Sequence, residues 1–404
     1  MTLEKLKEII SLREEVGYTK LLTITKDKTV YCKEDELEVF LNFITENWNS
    51  SEFTFITFEI EFLRGIVEIL EKESISVDEE NNPAAEVKKN IEKKYPKKKF
   101  SVYDKIIGIE VENKEEFGKF TIYNIEKNMN ILEKEIEENI DKKIDISTQL
   151  KERIQSIKEY KYIIRVEVET REPEIAFKLA EEEYKNFFNM LFIEDFKAIF
   201  MYIKPLKVVI ASESECDNVI GRVAIAKNQL AYRDQKTELT RKKNYMIEKR
   251  DKKLENLWRI ISNENLNEYE RVIANSIKWL GEAIQEKDIA TSFLKAMIVL
   301  EGILKEPTEK KGITKNICNR TAVILKQEYT ILNIVAQMRK LYSLRCDIAH
   351  KGRSKIDNKD RVTLINYVKK VLITLTTDNT YKNIQDMKEL VKKLKKECKN
   401  NKLK

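Results

Sequence analysis

The sequence contains a single histidine, His350, which follows Arg345 by five positions in the C-terminal third of the chain. Imidazole is the side chain that exchanges protons near neutral pH, and a guanidinium binds phosphate oxygens through paired hydrogen bonds. Arginine is much rarer than lysine in this chain, so its placement close to the only histidine stands out against the composition. The two side chains together favour acid–base chemistry on a phosphate ester.

RNA is the phosphate ester that such a pair can cleave without a metal ion. One group removes the proton of the ribose 2′-hydroxyl, another protonates the 5′-oxygen that leaves, and a cation stabilises the charge on the phosphorane. We therefore assign His350 as general base or acid, and Arg345 as phosphate binder and transition-state stabiliser. Asp347 or Tyr342 are candidate orienting groups, and Glu301 is a candidate partner for Arg345.

A long amphipathic helix is predicted to carry these residues. Arg345 falls where the next apolar residue of the helical stripe is due, so its side chain should point inward or toward a partner and needs a carboxylate or a phosphate. Gly352 is predicted to end the helix, which places His350 in the last turn. The apolar stripe that leads to Arg345 consists of Ile331, Ile334, Val335, Met338, Leu341 and Tyr342.

The segment Arg345-Cys-Asp-Ile-Ala-His350, in its "LYxxRxxxxHxG" setting, resembles the signature of the HEPN superfamily, and in particular its ApeA-like branch. The resemblance extends to residues 271–284 and 292–304 and covers about 255–395. It implies a helical bundle that pairs two copies of the motif across a homodimer, so that both arginines and both histidines line one cleft. Many members carry Asn, Asp or His directly after the arginine, whereas this chain has Cys346.

The resemblance also implies an activity: a metal-independent endoribonuclease that acts as a toxin or abortive-infection effector in antiphage defence, with tRNA among its candidate substrates. Two alternatives remain open. The bundle is either a non-catalytic dimerisation or RNA-binding module, or the toxin of a pair whose antitoxin is a nucleotidyltransferase. The expected partners are RNA, a second copy of the chain, and an antitoxin or phage-derived trigger on the N-terminal module.

Composition narrows the class of protein. The 75 basic and 69 acidic residues give a net charge of +6, which favours an anionic partner without requiring one. No long apolar run or signal peptide is evident, so we expect a cytoplasmic protein without membrane contact. The 5 cysteines are widely spaced and only one histidine is present, so neither a metal site nor a cofactor is expected. Phosphate-binding glycine motifs of ATPases and Rossmann enzymes do not occur.

The predicted fold is an α+β N-terminal module followed by an all-α, HEPN-like helical bundle, mostly helical overall. Residues 100–111 and 119–125 are rich in β-branched and aromatic side chains and are predicted to pair around a turn at Gly118. Weaker RNA contacts are predicted at Lys351, Arg353, Arg241, Lys242 and Lys243. The predicted domains are an α+β module of unknown role (1–212), a basic helical linker (213–253), the bundle (254–395), and a basic tail (396–404) within a frayed lysine-rich end that starts at Lys388.

Overall fold

The structure is a computed structural model of the 404-residue chain. It describes residues 3–12, 16, 18–25, 28–48, 52–71, 83–107, 109–139, 161–194, 209–210, 222–226, 229–233, 245–246, 254–263, 265–306, 308–351 and 356–403. Within these ranges the protein is mostly helical, and every strand precedes the C-terminal helices. No helix in the described ranges is both long enough and apolar enough to cross a membrane.

The N-terminal part folds around a small core of its own. An antiparallel sheet of three strands, in the order β1-β3-β2, packs with short helices, and phenylalanine side chains such as Phe40, Phe58 and Phe62 fill the core. Its elements are α1 (Leu3–Ile9), β1 (Ile10–Ser11), β2 (Tyr18–Thr25), β3 (Lys28–Lys33), α2 (Leu37–Asn47), α3 (Phe55–Glu71) and α4 (Pro83–Lys94).

A larger antiparallel sheet follows, and it corrects the predicted strand pairing. Its elements are β4 (Lys98–Ile107), β5 (Ile109–Glu110), β6 (Glu115–Phe117), β7 (Phe120–Asn124), α5 (Ile125–Asn139), β8 (Tyr162–Thr170) and α6 (Pro173–Glu194). The turn at Gly118, where φ is +60°, joins β6 to β7. Strand β8 inserts between β4 and β7, so these two strands do not pair with each other. Strand pairing over such a distance in the chain leaves no local signal.

The described part of the segment predicted to be a basic helical linker, 213–253, forms strands and not a helix. Strands β10 (Arg222–Ala226) and β11 (Gln229–Arg233) form a hairpin, and β10 pairs with the edge of β4. Alternation of branched and small residues in this segment suits a strand better than a helix. Two short strands, β9 (Val209–Ile210) and β12 (Tyr245–Met246), pair with β4 and β5. Arg241, Lys242 and Lys243 lie outside the described residues.

The described residues from Leu254 onward form a bundle of seven helices. Polar side chains fix where several of them begin: Asn267 forms a capping box with Glu270, while Asp288 and Asp357 accept hydrogen bonds from backbone amides of the first turn. The helices are α7 (Glu255–Ser262), α8 (Glu268–Gln285), α9 (Ile289–Leu304), α10 (Ile313–Ile324), α11 (Ile331–Lys351), α12 (Asn358–Thr377) and α13 (Met387–Asn400).

Helix α6 joins the sheet to the bundle. A Cβ atom added to Gly281 of α8 would lie 2.3 Å from the Cβ of Asn189 in α6, so the two helices meet at a point where only glycine fits. Gln285 also donates a hydrogen bond of 2.8 Å to Asn189 Oδ1. Buried residues of the large sheet, α6 and the bundle form one continuous hydrophobic core. The domain limits given by the sequence stay predictions, although this core extends across the limit between 212 and 254.

The C-terminal end is more ordered than predicted. Residues from Lys388 onward continue α13 to Asn400 instead of fraying, because Leu390, Val391 and Leu394 are buried on one face. Lys395 forms an ion pair of 2.5 Å with Glu306, and Glu397 pairs with Lys326. The lysines of this helix occupy its exposed side, as expected for an amphipathic helix.

Candidate active site

Helix α11 carries the Arg345/His350 pair. Its first half is well buried along the predicted stripe, with Ile334, Met338 and Leu341 fully excluded from solvent. Every residue from Leu344 to Ile348 is half-buried, so this part of the helix has no clear division into a buried face and a solvent-exposed face. The side chain of Arg345 is 26% exposed, in agreement with the predicted inward position.

Arg345 packs against α9 through the carboxylate of Glu301. Its Nη2 donates a hydrogen bond of 3.2 Å to Oε2 of Glu301, while Nε lies 3.0 Å from Oε1 without hydrogen-bond geometry. The ion pair expected from the sequence is therefore present, but it is not a well-formed bidentate pair. One edge of the guanidinium is engaged and the pair retains access to water, since Glu301 is 19% exposed.

Tyr342 completes this cluster on α11. Its side chain is buried, and the Cζ atom of Arg345 lies 5.9 Å from the centre of its ring. Burial, and then the neighbouring Glu301 carboxylate, raises the pKa of Tyr342 to about 12. The hydroxyl is consequently protonated at neutral pH and remains a hydrogen-bond donor next to Glu301.

His350 lies in the last turn of α11, as predicted, and its side chain is exposed. It makes no hydrogen bond or ion pair with the residues that the structure describes. Positions five apart on a helix are separated by about 140° around the axis and about 7.5 Å along it. A single chain thus holds Arg345 against α9 and presents His350 to solvent, without joining them in one cleft.

The remaining predicted site residues lie around Arg345 and at the end of α11, and the structure describes only some of them. Asp347 is half-buried, two positions after Arg345 and so on a different side of the helix. Cys346 is half-buried and packs against the main core, as a small apolar side chain would. Lys351 is the last helical residue, and Arg353 and the predicted stop Gly352 lie outside the described residues.

Two bases on the same helix were missed by the sequence analysis. Arg339 and Lys340 are exposed, and with Ser343 and His350 they follow one side of α11 at helical spacing. Lys340 forms an ion pair of 2.7 Å with Asp360 at the beginning of α12. The sequence pattern that could have identified these bases is the row of polar residues on the side of the helix opposite the apolar stripe. The two bases extend the positive surface from the histidine along the helix.

The described residues contain no group of three or more His, Cys, Asp or Glu side chains placed to hold a metal ion. The groups that the structure describes at this site are a guanidinium, a carboxylate, a buried phenol and an exposed imidazole. Comparison of the chain with protein-family models, curated proteins and solved structures gave no match.

Proposed function

We propose that the protein is a HEPN-type, metal-independent endoribonuclease whose active site is built from Arg345 and His350. One observation carries the proposal: the only histidine is exposed in the last turn of the same helix whose half-buried arginine makes a single hydrogen bond to its carboxylate partner. A purely structural arginine would be expected to have its donors satisfied. Arg345 makes one hydrogen bond to Glu301, whose Oε1 has no hydrogen-bond partner among the described residues, and we propose that the other N–H groups of Arg345 bind a phosphate oxygen.

The reaction follows from the two side chains. The general base removes the proton of the 2′-hydroxyl, whose oxygen attacks the adjacent phosphorus, and the bond to the 5′-oxygen breaks as that oxygen is protonated. The products are a 2′,3′-cyclic phosphate and a 5′-hydroxyl. Arg345 stabilises the negative charge that develops on the non-bridging oxygens, and Tyr342 positions Glu301 so that the guanidinium keeps its orientation.

The reaction needs two proton-transfer groups, and each chain has only one histidine. A second copy of the chain would supply the second group. A C2 dimer through the C-terminal bundle brings a second His350 and a second Arg345 to one cleft with no further residues required. The exposed side of α11 is the surface on which such a partner would be accommodated. The N-terminal module then takes the role of receiver for an antitoxin or a phage-derived trigger, and cleavage of host RNA gives growth arrest.

A second candidate function is a catalytically silent dimerisation or RNA-binding module. The observation that favours it is the Arg345–Glu301 contact itself, because an arginine already paired with a carboxylate has a structural role without any substrate. The two candidates differ in one measurable property, since only the first requires His350.

The test is incubation of the purified protein with total RNA and with tRNA in EDTA. We expect cleavage products with 2′,3′-cyclic phosphate ends, and their loss in Arg345→Ala and His350→Ala. Arg271→Ala is the matched control, because it removes an exposed arginine from another helix of the bundle, α8. Sedimentation should show that the active species is a dimer. Cleavage that survives His350→Ala in folded protein rejects the assignment of His350 to the active site, and RNA binding without cleavage by the wild type supports the silent module.

A further inference from the structure

Helix α13 presents one face on which every charged side chain is a lysine. The helix contains six lysines, two glutamates and no arginine. At about 100° per residue, five of the lysines lie within about 100° of one another around the helix axis, and they extend over about 16 Å along it. All five are exposed, on the side of the helix opposite the buried Leu390 and Leu394. These five residues, here called the lysine face, are Lys388, Lys392, Lys395, Lys396 and Lys399.

The carboxylates of the same segment are engaged with other groups. Asp386 accepts a hydrogen bond of 2.8 Å from the backbone N–H of Glu389, as the N-cap of the helix. Glu389 in turn accepts one of 3.2 Å from the backbone N–H of Gln385. Glu397 forms an ion pair with Lys326, in the turn that follows α10. None of these three carboxylates forms an ion pair with the lysine face in the described structure.

The charge of the lysine face is therefore largely unpaired. Among the described residues, Lys395 is the one member of the face with an ion pair, which it forms with Glu306. The exposed charged residues of another bundle helix, α8, are mixed in sign: Glu268, Arg271 and Lys278. The whole chain has 75 basic and 69 acidic residues, so a face of five lysines without a carboxylate departs from its average. A surface with charges of one sign attracts a polyanion.

The residue types and their spacing favour a nucleic-acid backbone as this polyanion. Lysine binds phosphate as a point charge on a flexible stem, and contacts with phosphate carry no sequence information. Successive lysines of the face lie about one helical turn apart, so they present a row of charges to a row of phosphates. A membrane surface fits less well, because a helix that lies in a membrane inserts its apolar side chains. Those of α13, Leu390, Val391 and Leu394, are buried in the bundle.

We propose that the lysine face binds the phosphate backbone of RNA without reading its sequence. The choice of RNA rests on the proposed function: the face holds the substrate, and Arg345 and His350 cleave it. Helix α9 connects the two regions, because its Glu301 contacts Arg345, and Glu306, five positions later, contacts Lys395. Loss of the lysine face should consequently weaken RNA binding and leave the chemical step unchanged.

Binding of a fluorescently labelled single-stranded RNA to the full chain tests the proposal. All proteins carry His350→Ala, so that cleavage does not interfere, and the salt concentration is varied from about 50 to about 200 mM. The triple variant Lys392→Gln, Lys396→Gln and Lys399→Gln should bind RNA at least ~10-fold more weakly at the lower salt concentration. The slope of the logarithm of the association constant against the logarithm of the salt concentration should fall in magnitude by about 2, because each phosphate contact contributes about 0.7.

The matched control removes three exposed lysines from helices of mixed charge, by Lys178→Gln and Lys185→Gln in α6 and Lys278→Gln in α8. It changes the net charge by the same amount, so it shows what charge alone contributes, which we expect to be about 2-fold or less in affinity. Both triple variants should keep the melting temperature, because the replaced side chains are exposed. Should the lysine-face variant fail to fold, Lys396→Gln alone decides, with an expected change in slope of about 0.7.

Several results would overturn the proposal. They are wild-type affinity and salt slope in the lysine-face variant, an equal loss of affinity in the control, or no binding of RNA by the full chain at about 50 mM salt. Tighter binding to vesicles of anionic lipid than to RNA would overturn it as well. RNA binding that depends on the lysine face, in a wild type that cleaves no RNA, rejects the nuclease and supports the lysine face as an RNA-binding surface.

Discussion

Two arginine–glutamate pairs in the same helical bundle differ in almost every physical respect. Arg320 of α10 is 3% exposed and Glu309 is 8% exposed, and they form two hydrogen bonds of 3.0 and 2.8 Å. Arg345 and Glu301 are 26% and 19% exposed and share a single hydrogen bond of 3.2 Å. The first pair is closed to water, and the second is partly open.

The surroundings of the two pairs differ in the same direction. Arg320 also donates to the carbonyl of Leu304 at the end of α9, and Glu309 accepts from Asn316 at 2.7 Å. The closed pair thus ties α9, α10 and the loop between them together. Oε1 of Glu301, in contrast, is a buried acceptor without a hydrogen bond in the described structure. Full satisfaction marks a structural pair, whereas an incomplete pair near solvent leaves a guanidinium that can exchange its carboxylate for a phosphate.

The largest effect is expected when the closed pair is broken. Arg320→Ala leaves Glu309 buried without its cation and the carbonyl of Leu304 without its donor, which should lower the free energy of unfolding by about 3–5 kcal/mol. Denaturant unfolding followed by circular dichroism measures this loss. Arg339→Ala, which removes an exposed arginine, should change the free energy by less than about 0.5 kcal/mol. Equal effects of the two substitutions would contradict the structural role of Arg320.

The buried phenol beside the open pair gives a smaller, pH-dependent effect. Below pH 10 Tyr342 is protonated in both the folded and the unfolded state. Between pH 10 and the folded-state pKa of about 12, the unfolded state ionises first, so stability falls as the pH rises. Tyr342→Phe should remove about 1.4 kcal/mol of this loss at pH 11. Unfolding measured at pH 8 and pH 11 gives the comparison, and an unchanged alkaline loss would show that Tyr342 is not protected.

The smallest expected effect comes from neutralising the carboxylate of the open pair. Glu301→Gln keeps the shape of the side chain but removes the charge that competes with phosphate for Arg345. It should tighten binding of RNA about 3–10-fold and change the free energy of unfolding by about 1 kcal/mol or less. Glu306→Gln is the control, because Glu306 belongs to a more exposed ion pair with Lys395. Weaker RNA binding by Glu301→Gln would show that the open pair is structural after all.

The elements of the bundle follow from the sequence because their signals are local. Ile334, Met338 and Leu341 define the buried side of α11 by periodicity alone, and Arg345 on that side implied a carboxylate partner. The partner is Glu301, 44 positions earlier, and its place beside Arg345 depends on how α9 packs on α11. The sequence pattern could therefore identify Glu301 only as a candidate.

Features that depend on contacts between distant segments of the chain could not be predicted from local sequence patterns. The insertion of β8 between β4 and β7 depends on pairing between distant segments. Arg320 also stands on an apolar stripe, between Ile317 and Ile324, so the signal that selected Arg345 applied to it equally. An arginine on an apolar stripe is predicted to be buried. Whether it is structural, or can exchange its carboxylate partner for a phosphate, depends on how many of its donors are hydrogen-bonded, and the sequence does not show that number.

The most direct test of this account is RNA cleavage in EDTA by Arg345→Lys, compared with the wild type at equal concentrations of folded protein. Lysine keeps the charge and the ion pair with Glu301 but loses the planar, two-oxygen recognition of phosphate. We predict a melting temperature within about 2 °C of the wild type, as for an exchange at a partly exposed ion pair, and cleavage reduced by roughly 100-fold or more. Folded Arg345→Lys protein that cleaves RNA as fast as the wild type would contradict the assignment of Arg345 to the active site.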